Sequence, residues 1–314
     1  MALNDEMEWI AGALGQTVLD SRTLAGGFSH ETCLLMLKEG PVVARFGGPD
    51  PAVEAAVMAR ARQFVPVPEV LCVMPSPGDG VRPVMLLEYV AGTSLSEVLD
   101  AGGGAGVAEL GAEVGCVIAR IGAVAFGEPG FFAGPDLSVD EMPPEIRNLP
   151  EMAANCMEAV PASRLDPLER RAWIELCAAH APALSAVDGH ARLVHSDVNP
   201  KNILVTPRER GWRVDAVLDW EFSFSGSPYA DAANMLRFGG DYPAPFADGF
   251  RTGFGSNLPA DLPPDGNWPY LGRVLDMYAL SDLVTRPEGH PLADRAAQEI
   301  CLWIAGGHTR KTRS

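Results

Sequence analysis

Lysine is nearly missing from this chain. Of 24 basic residues in 314, only Lys38, Lys201 and Lys311 are lysines, and the rest are arginines. Acidic residues outnumber them at 41, for a formal net charge of −17 and a pI near 4.7. A surface of that sign repels phosphodiester backbones and anionic lipid, so neither nucleic acid nor membrane is an expected partner. No run reaches the about 18 uninterrupted apolar residues of a membrane-spanning helix. The opening Met1-Ala2-Leu3-Asn4-Asp5-Glu6 also lacks the basic-then-apolar order of a secretory signal. The expected location is the cytoplasm. Six cysteines, at 33, 72, 116, 156, 177 and 301, include no C-x-x-C pair and have mostly apolar neighbours. That pattern excludes a zinc ribbon or a disulfide framework and reads as small buried hydrophobes. No internal repeat interrupts the chain.

What is present is concentrated in one stretch. Leu193-Val194-His195-Ser196-Asp197-Val198-Asn199-Pro200-Lys201-Asn202-Ile203-Leu204-Val205 is followed by Val217-Leu218-Asp219-Trp220-Glu221, two apolar strands whose ends deliver polar ligands. Transfer of a nucleotide γ-phosphoryl group needs Mg²⁺ to neutralise charge and a nucleophile held in line, with little covalent help from the protein. Asp197 is placed to accept a hydrogen bond from a substrate hydroxyl. Asn202, five positions on, is a neutral oxygen donor for Mg²⁺, and Asp219 supplies a hard anionic ligand. His-x-Asp-x-x-x-x-Asn followed by apolar-apolar-Asp is the order found in kinase catalytic loops. His195 reads as a hydrogen-bonded scaffold residue rather than a proton carrier.

On His195-Ser196-Asp197, Asn202, Leu218-Asp219-Trp220-Glu221 and Gly226-Ser227-Pro228-Tyr229-Ala230-Asp231, the chain resembles the aminoglycoside phosphotransferase family over nearly its whole length. The resemblance implies an α+β, protein-kinase-like fold of two lobes: a small antiparallel sheet lobe with one helix over 1–91, and a larger, mainly helical lobe over 92–314 for catalysis and acceptor binding. It also implies that Asp231 is a buried carboxylate bracing the catalytic loop.

Within the first lobe, Thr32 to Leu37 and Pro41 to Phe46 are β-rich runs joined by Lys38-Glu39-Gly40, a hairpin turn. Before them, Leu24-Ala25-Gly26-Gly27-Phe28-Ser29-His30 offers Gly26, Gly27 and Ser29 as a loop whose backbone can approach phosphates closely. Asp50-Pro51 starts a helix with Glu54 in its first turns. In kinases a Glu there pairs with a strand lysine that grips the α- and β-phosphates. Here the strand offers Arg45 instead, since Lys38 falls in the turn, and a guanidinium sits differently from an ammonium. Pro66 to Val73 and Val84 to Tyr89 are further strands of an expected five-stranded sheet. Met85 to Gly92 looks like the family's hinge, where backbone groups at Glu88 and Val90 would hold the base. Backbone recognition makes ATP and GTP equal candidates. Ser94-Leu95-Ser96-Glu97 is a capping box, and Val107, Leu110, Val114, Val117, Ile118 and Ile121 share one helix face. Leu168 to Leu184 is a further helical stretch, and the basic tail from His308 reads as a frayed terminus.

Asp231 follows Asp219 by 12 positions, too few for the long activation segment on which protein kinases dock peptides. The expected acceptor is therefore a small molecule. The leading reading is transfer of the γ-phosphoryl group to a hydroxyl of an antibiotic such as an aminoglycoside, giving resistance by inactivation. A cationic acceptor fits the acidic chain. Glu221, Asp241, Asp261, Asp265, Asp276 and Asp282, with Trp268 and Tyr270, are candidates to grip it. The alternative is a metabolic kinase for choline, homoserine or a sugar. A non-catalytic, partner-binding pseudokinase is the third reading, but it would be expected to lack Asp197, Asn202 or Asp219, and all three are present. No oligomeric state is implied.

Overall fold

The computed structural model describes residues 3–24, 31–48, 51–76, 82–104, 106–262 and 267–306. Gly26, Gly27 and Ser29, the Asp50 cap, Asp265 and the tail from residue 307 lie outside the described residues. The chain runs through α1 (Leu3–Leu14), β1 (Val18–Thr23), β2 (Glu31–Leu37), β3 (Gly40–Phe46), α2 (Pro51–Ala61), β4 (Val70–Met74) and β5 (Val84–Glu88). After the connection come β6 (Thr93–Ser94), α3 (Leu95–Asp100), α4 (Val107–Ile121), β7 (Phe131–Phe132), β8 (Val139–Asp140), α5 (Pro144–Arg147), α6 (Leu149–Ala159) and α7 (Pro167–His180). Strands β9 (Arg192–Val194), β10 (Ile203–Pro207), β11 (Trp212–Val217) and β12 (Phe224–Gly226) precede α8 (Tyr229–Leu236), α9 (Ala244–Ser256), α10 (Trp268–Leu283) and α11 (Pro291–Ala305).

The β2–β3 hairpin forms where the β-rich runs predict it. β-branched and apolar residues alternate into a core of Cys33, Leu35, Ala44 and Phe46, and Gly40 takes the positive φ of 138° that closes the turn. The five-stranded sheet has the order β1-β2-β3-β5-β4, every neighbouring pair antiparallel. Two features differ from the sequence reading. Pro66 to Glu69 is not strand, because prolines at 66 and 68 remove ladder donors, and β4 begins at Val70. A second helix, α1, packs its Ile10 into the sheet core.

The larger lobe is built around α4, whose apolar face is buried as its period predicts. The α4 helix lies backbone to backbone on α9. A Cβ added at Gly111, Gly115, Gly249 or Gly253 would fall 2.1 to 2.2 Å from a carbonyl oxygen of the facing helix. The Ser94 capping box forms as expected, and β6 pairs with β10, so the inter-lobe connection is stitched to the strand that follows the Asp197 loop. Two further contacts tie the lobes: Val217 N donates to Pro66 O at 2.9 Å, and Val57 and Met58 join the large-lobe core. Among the described residues no helix is long and apolar enough to cross a membrane. All six cysteines are free thiols; Cys33 and Cys177 are buried and the other four are partly exposed.

Candidate active site

The loop after β9 is held by a carboxylate from below. Asp231, at the first turn of α8 and fully buried, accepts the backbone N–H of His195 on Oδ2 and of Ser196 on Oδ1, both at 2.9 Å. Burial pushes its pKa up to about 7, while those two donors and their partial positive charge pull the other way. Asn234, one turn along the same helix, donates to Ser196 O at 2.7 Å. Ser196 is thus gripped on both sides of its peptide, which holds it at φ 71°, a conformation that costs a non-glycine residue of order 1–3 kcal/mol.

His195 is also fully buried, against the Trp220 ring at 4.5 Å between centroids. Its Nδ1 lies 3.2 Å from the Asp197 N–H, which is only ever a donor, so Nδ1 accepts and Nε2 carries the proton given to Leu218 O at 2.9 Å. Burial lowers its pKa to about 4. A neutral imidazole therefore staples the Asp197 loop to the residue preceding Asp219.

Asp197 is engaged from two directions. Asn202 Nδ2 donates to its carbonyl at 3.0 Å and to Oδ2 at 2.8 Å, and Asn199 Nδ2 donates to its carbonyl and Oδ1, each at 3.1 Å. Burial raises its pKa and the nearby Asp219 charge adds to the rise; the two amides and the Arg237 charge oppose it. Because both atoms facing Asn202 Nδ2 are acceptors, the amide orientation is fixed, and its oxygen is the atom available to a cation. Leu218 N donates to Asn202 O at 2.8 Å, which brings Asp219 alongside.

Across the cleft, Arg45 on β3 lies 7% exposed and spans two carboxylates: Nη1 to Glu54 Oε1 at 2.5 Å and Nη2 to Asp219 Oδ1 at 2.7 Å. Glu54 also accepts the Trp220 N–H at 3.1 Å. Burial raises the Glu54 pKa, and the Arg45 charge is the main opposing influence. Asp219, like Ser196, sits at positive φ, 69°. Asp197, Asn202, Asp219, Arg45 and Glu54 thus form one connected set, joined between Asn202 and Asp219 through the Leu218 N–H, although Arg45 and Asp219 stand 174 positions apart. At the end of β5 the Glu88 N–H donates to Glu69 O, and its side chain accepts from Glu69 N and Arg62. Val90 follows in the connection, partly exposed.

The acceptor candidates do not converge. Trp268 is buried in the large-lobe core against Phe254 at 4.7 Å, and Asp276 is buried and doubly bonded by Arg237, at 2.6 and 2.9 Å to Oδ1 and 3.1 Å to Oδ2. Both are corrections to the sequence reading: neither is presented as an open grip for a cation. Asp241, Asp261 and Asp282 likewise pair with Arg295, Arg192 and Arg286. Tyr270 hydrogen-bonds His180. Glu221 lines a cavity of about 280 Å³ between α2 and the segment after Asp219, with Val53, Val57, Phe131, Phe132 and Phe222 around it.

Asn199, Asn234 and Arg237 are site residues that the sequence reading does not single out. Asn199, two residues after Asp197, carries a local signal, since an Asx side chain readily bonds backbone two positions away. Asn234 carries only its i+3 spacing from Asp231, and Arg237, at the C-terminal cap of α8, carries no local signal.

Among the described residues no three His, Cys, Asp or Glu side chains are arranged to hold a metal by themselves. One carboxylate and one amide oxygen nevertheless suit Mg²⁺, which takes few protein ligands where phosphates supply others.

A search of curated proteins finds no match. Among solved structures, aminoglycoside phosphotransferase APH(4)-Ia aligns with a TM-score of 0.71 at 17% identity, over 98% of this chain and 99% of that one. A thermostable mutant of the same enzyme, in ternary complex with ADP and hygromycin B, aligns at 0.69 and 15%, over 96% and 98%. A candidate fructosamine-3-kinase from Thermobifida fusca YX-ER1 aligns at 0.61 and 17%, over 96% and 100%. These likenesses establish the two-lobed, protein-kinase-like α+β fold. The model of the phosphotransferase enzyme family matches residues 20–264, most of the chain, and this protein therefore belongs to that family.

Proposed function

We propose that the protein transfers the γ-phosphoryl group of ATP or GTP to a hydroxyl of a small molecule, with an antibiotic of the aminoglycoside type as the leading acceptor. The observation that carries this reading is the set of contacts from Glu54 through Arg45 to Asp219, joined by the Leu218 N–H on Asn202 O to Asn202 and Asp197. In it a poised carboxylate adjoins a hard-oxygen pair and a buried guanidinium.

Each part has a defined task. Asp197 orients the acceptor hydroxyl and takes its proton as the hydroxyl oxygen bonds to the γ-phosphorus and the bond to the nucleoside diphosphate breaks. Its environment, which disfavours the anion, makes it the better proton acceptor at the moment of transfer. Asn199 and Asn202 hold the carboxylate in one orientation. Asn202 Oδ1 and Asp219 are the residues that would hold Mg²⁺, which when bound neutralises phosphate charge. Arg45, anchored by Glu54, is the candidate grip on the nucleotide phosphates, with Gly26, Gly27 and Ser29 covering them and the backbone at Glu88 and Val90 holding the base. His195 and Asp231 position the loop and move no proton.

Asp197→Asn removes the proton acceptor and keeps the shape. We expect turnover to fall by several orders of magnitude while calorimetric affinity for a non-hydrolysable nucleotide stays within about twofold. Turnover near the parent value would end this assignment.

The similarity to a candidate fructosamine-3-kinase supports a second reading, a kinase for an amine-bearing sugar or another metabolite. Coupled nucleotide consumption across a panel of aminoglycosides, choline, homoserine and glycated amines separates the two. Growth protection by the expressed protein is expected only for the antibiotic reading.

A further inference from the structure

The carboxylate proposed to hold the metal already has a cationic partner. Arg45 Nη2 lies 2.7 Å from Asp219 Oδ1, and Nη1 is fixed at 2.5 Å on Glu54. Glu54 is itself 5% exposed and bonded to Trp220 N, the residue after Asp219. Two ends of one planar fork are therefore pinned to two elements, and Asp219 is reached only because a guanidinium offers donors a side apart. An ammonium that stayed on Glu54 would be a single point charge on a shorter stem. A divalent cation on Asp219 would stand within a few ångströms of this guanidinium, where like charges repel.

We infer that Arg45 is a gate on Asp219: guanidinium and divalent cation compete for the same carboxylate, and a nucleotide's phosphates relieve the competition. Those phosphates offer Arg45 another anion and give the cation further oxygen ligands. Metal and nucleotide binding are thereby coupled, and by linkage each strengthens the other by the same factor. The inference rests on the proposed metal role of Asp219, and it assigns to the arginine at this strand position a consequence beyond phosphate binding.

The test measures binding of Mn²⁺ alone by electron paramagnetic resonance, and then with a non-hydrolysable ATP or GTP analogue. The proteins are the parent, Arg45→Lys, and the double variant Arg45→Met with Glu54→Gln. The double variant avoids leaving a buried carboxylate without its cation. We expect the parent to bind Mn²⁺ alone weakly and the double variant to bind it about 5- to 150-fold more tightly, the ordinary span of a two-site coupling. Arg45→Lys should fall between them. Adding Asp219→Asn should abolish the gain. If the double variant, or Arg45→Lys should the double variant not fold, binds Mn²⁺ alone with the parent's affinity, the gate is overturned while the metal assignment stands. If Asp219→Asn leaves Mn²⁺ binding in the nucleotide complex unchanged, the metal assignment fails and takes the gate with it.

Discussion

Neighbouring buried groups at the catalytic loop titrate in opposite senses. The imidazole of His195 stays neutral down to about pH 4, whereas an exposed imidazole in the unfolded chain protonates near 6.5. Between those values the unfolded state binds the extra proton, so this group's contribution to stability is fully present above 6.5 and is lost as pH falls toward 4. Asp231, raised to about 7, does the reverse: the unfolded carboxyl ionises first, and stability declines as pH rises toward 7. His195→Gln isolates one half of this balance. At pH 7 the variant should be less stable than the parent, and the gap should narrow by about 3 kcal/mol on acidification from 6.5 to 4, since each tenfold change in proton activity is worth about 1.4 kcal/mol. Urea titrations at five pH values measure it, and a pH-independent gap would contradict a neutral, buried imidazole. At this scale the sequence is most legible where chemistry is local. Asp197, Asn202 and Asp219 announce themselves by order and spacing. Asp276 and Trp268 mislead, because an acidic residue shows nothing in sequence of an arginine 39 positions away, nor an aromatic of the phenylalanine that covers it.

Elements impose a different constraint, clearest where α4 meets α9. Small residues allow the two backbones to touch, and the cost of any added atom depends on which carbonyl it meets. Gly115→Ala and Gly253→Ala should each destabilise by about 1–3 kcal/mol, as overpacking does when no flexible side chain can yield. Gly12→Ala in α1, where an added Cβ meets nothing within 4 Å, should instead be neutral or stabilising by up to about 1 kcal/mol. Denaturant midpoints of the three variants check this. The helix α4 is readable from its apolar period. Its glycines are not, since a close helix crossing leaves no mark beyond the small residues themselves. Helix α1 escapes the sequence reading although Gly15, at φ 62°, caps its C-terminus with the Gln16 N–H on Ala11 O; it gains its place by packing Ile10 on the sheet.

Over the whole molecule the dominant quantity is the net charge of −17. Several carboxylates that the sequence offers as acceptor contacts are neutralised by arginines, yet the summed field still favours approach of a cation. Raising ionic strength from about 0.01 M to about 1 M contracts the screening length from about 30 Å to about 3 Å. KM for a polycationic acceptor should accordingly rise several-fold, while that for a neutral sugar should hold. Equal salt responses of the two would remove charge as a selector. The two-lobed architecture is legible because the small lobe's β-rich runs and the large lobe's helical periods change character near residue 92. The closure of the cleft is not, since it depends on contacts such as Arg45 with Asp219 that no local pattern encodes.

The short path from Asp219 to Asp231 has a further consequence. Three of its residues are locked in β12 against β9, Ser225 Oγ is tied to Glu128 O, and α8 begins before Asp231 is reached. Such a tether leaves no room for a long segment of its own between the two carboxylates. A switch of the protein-kinase kind, which needs a long segment after the aspartate, has no room on this path.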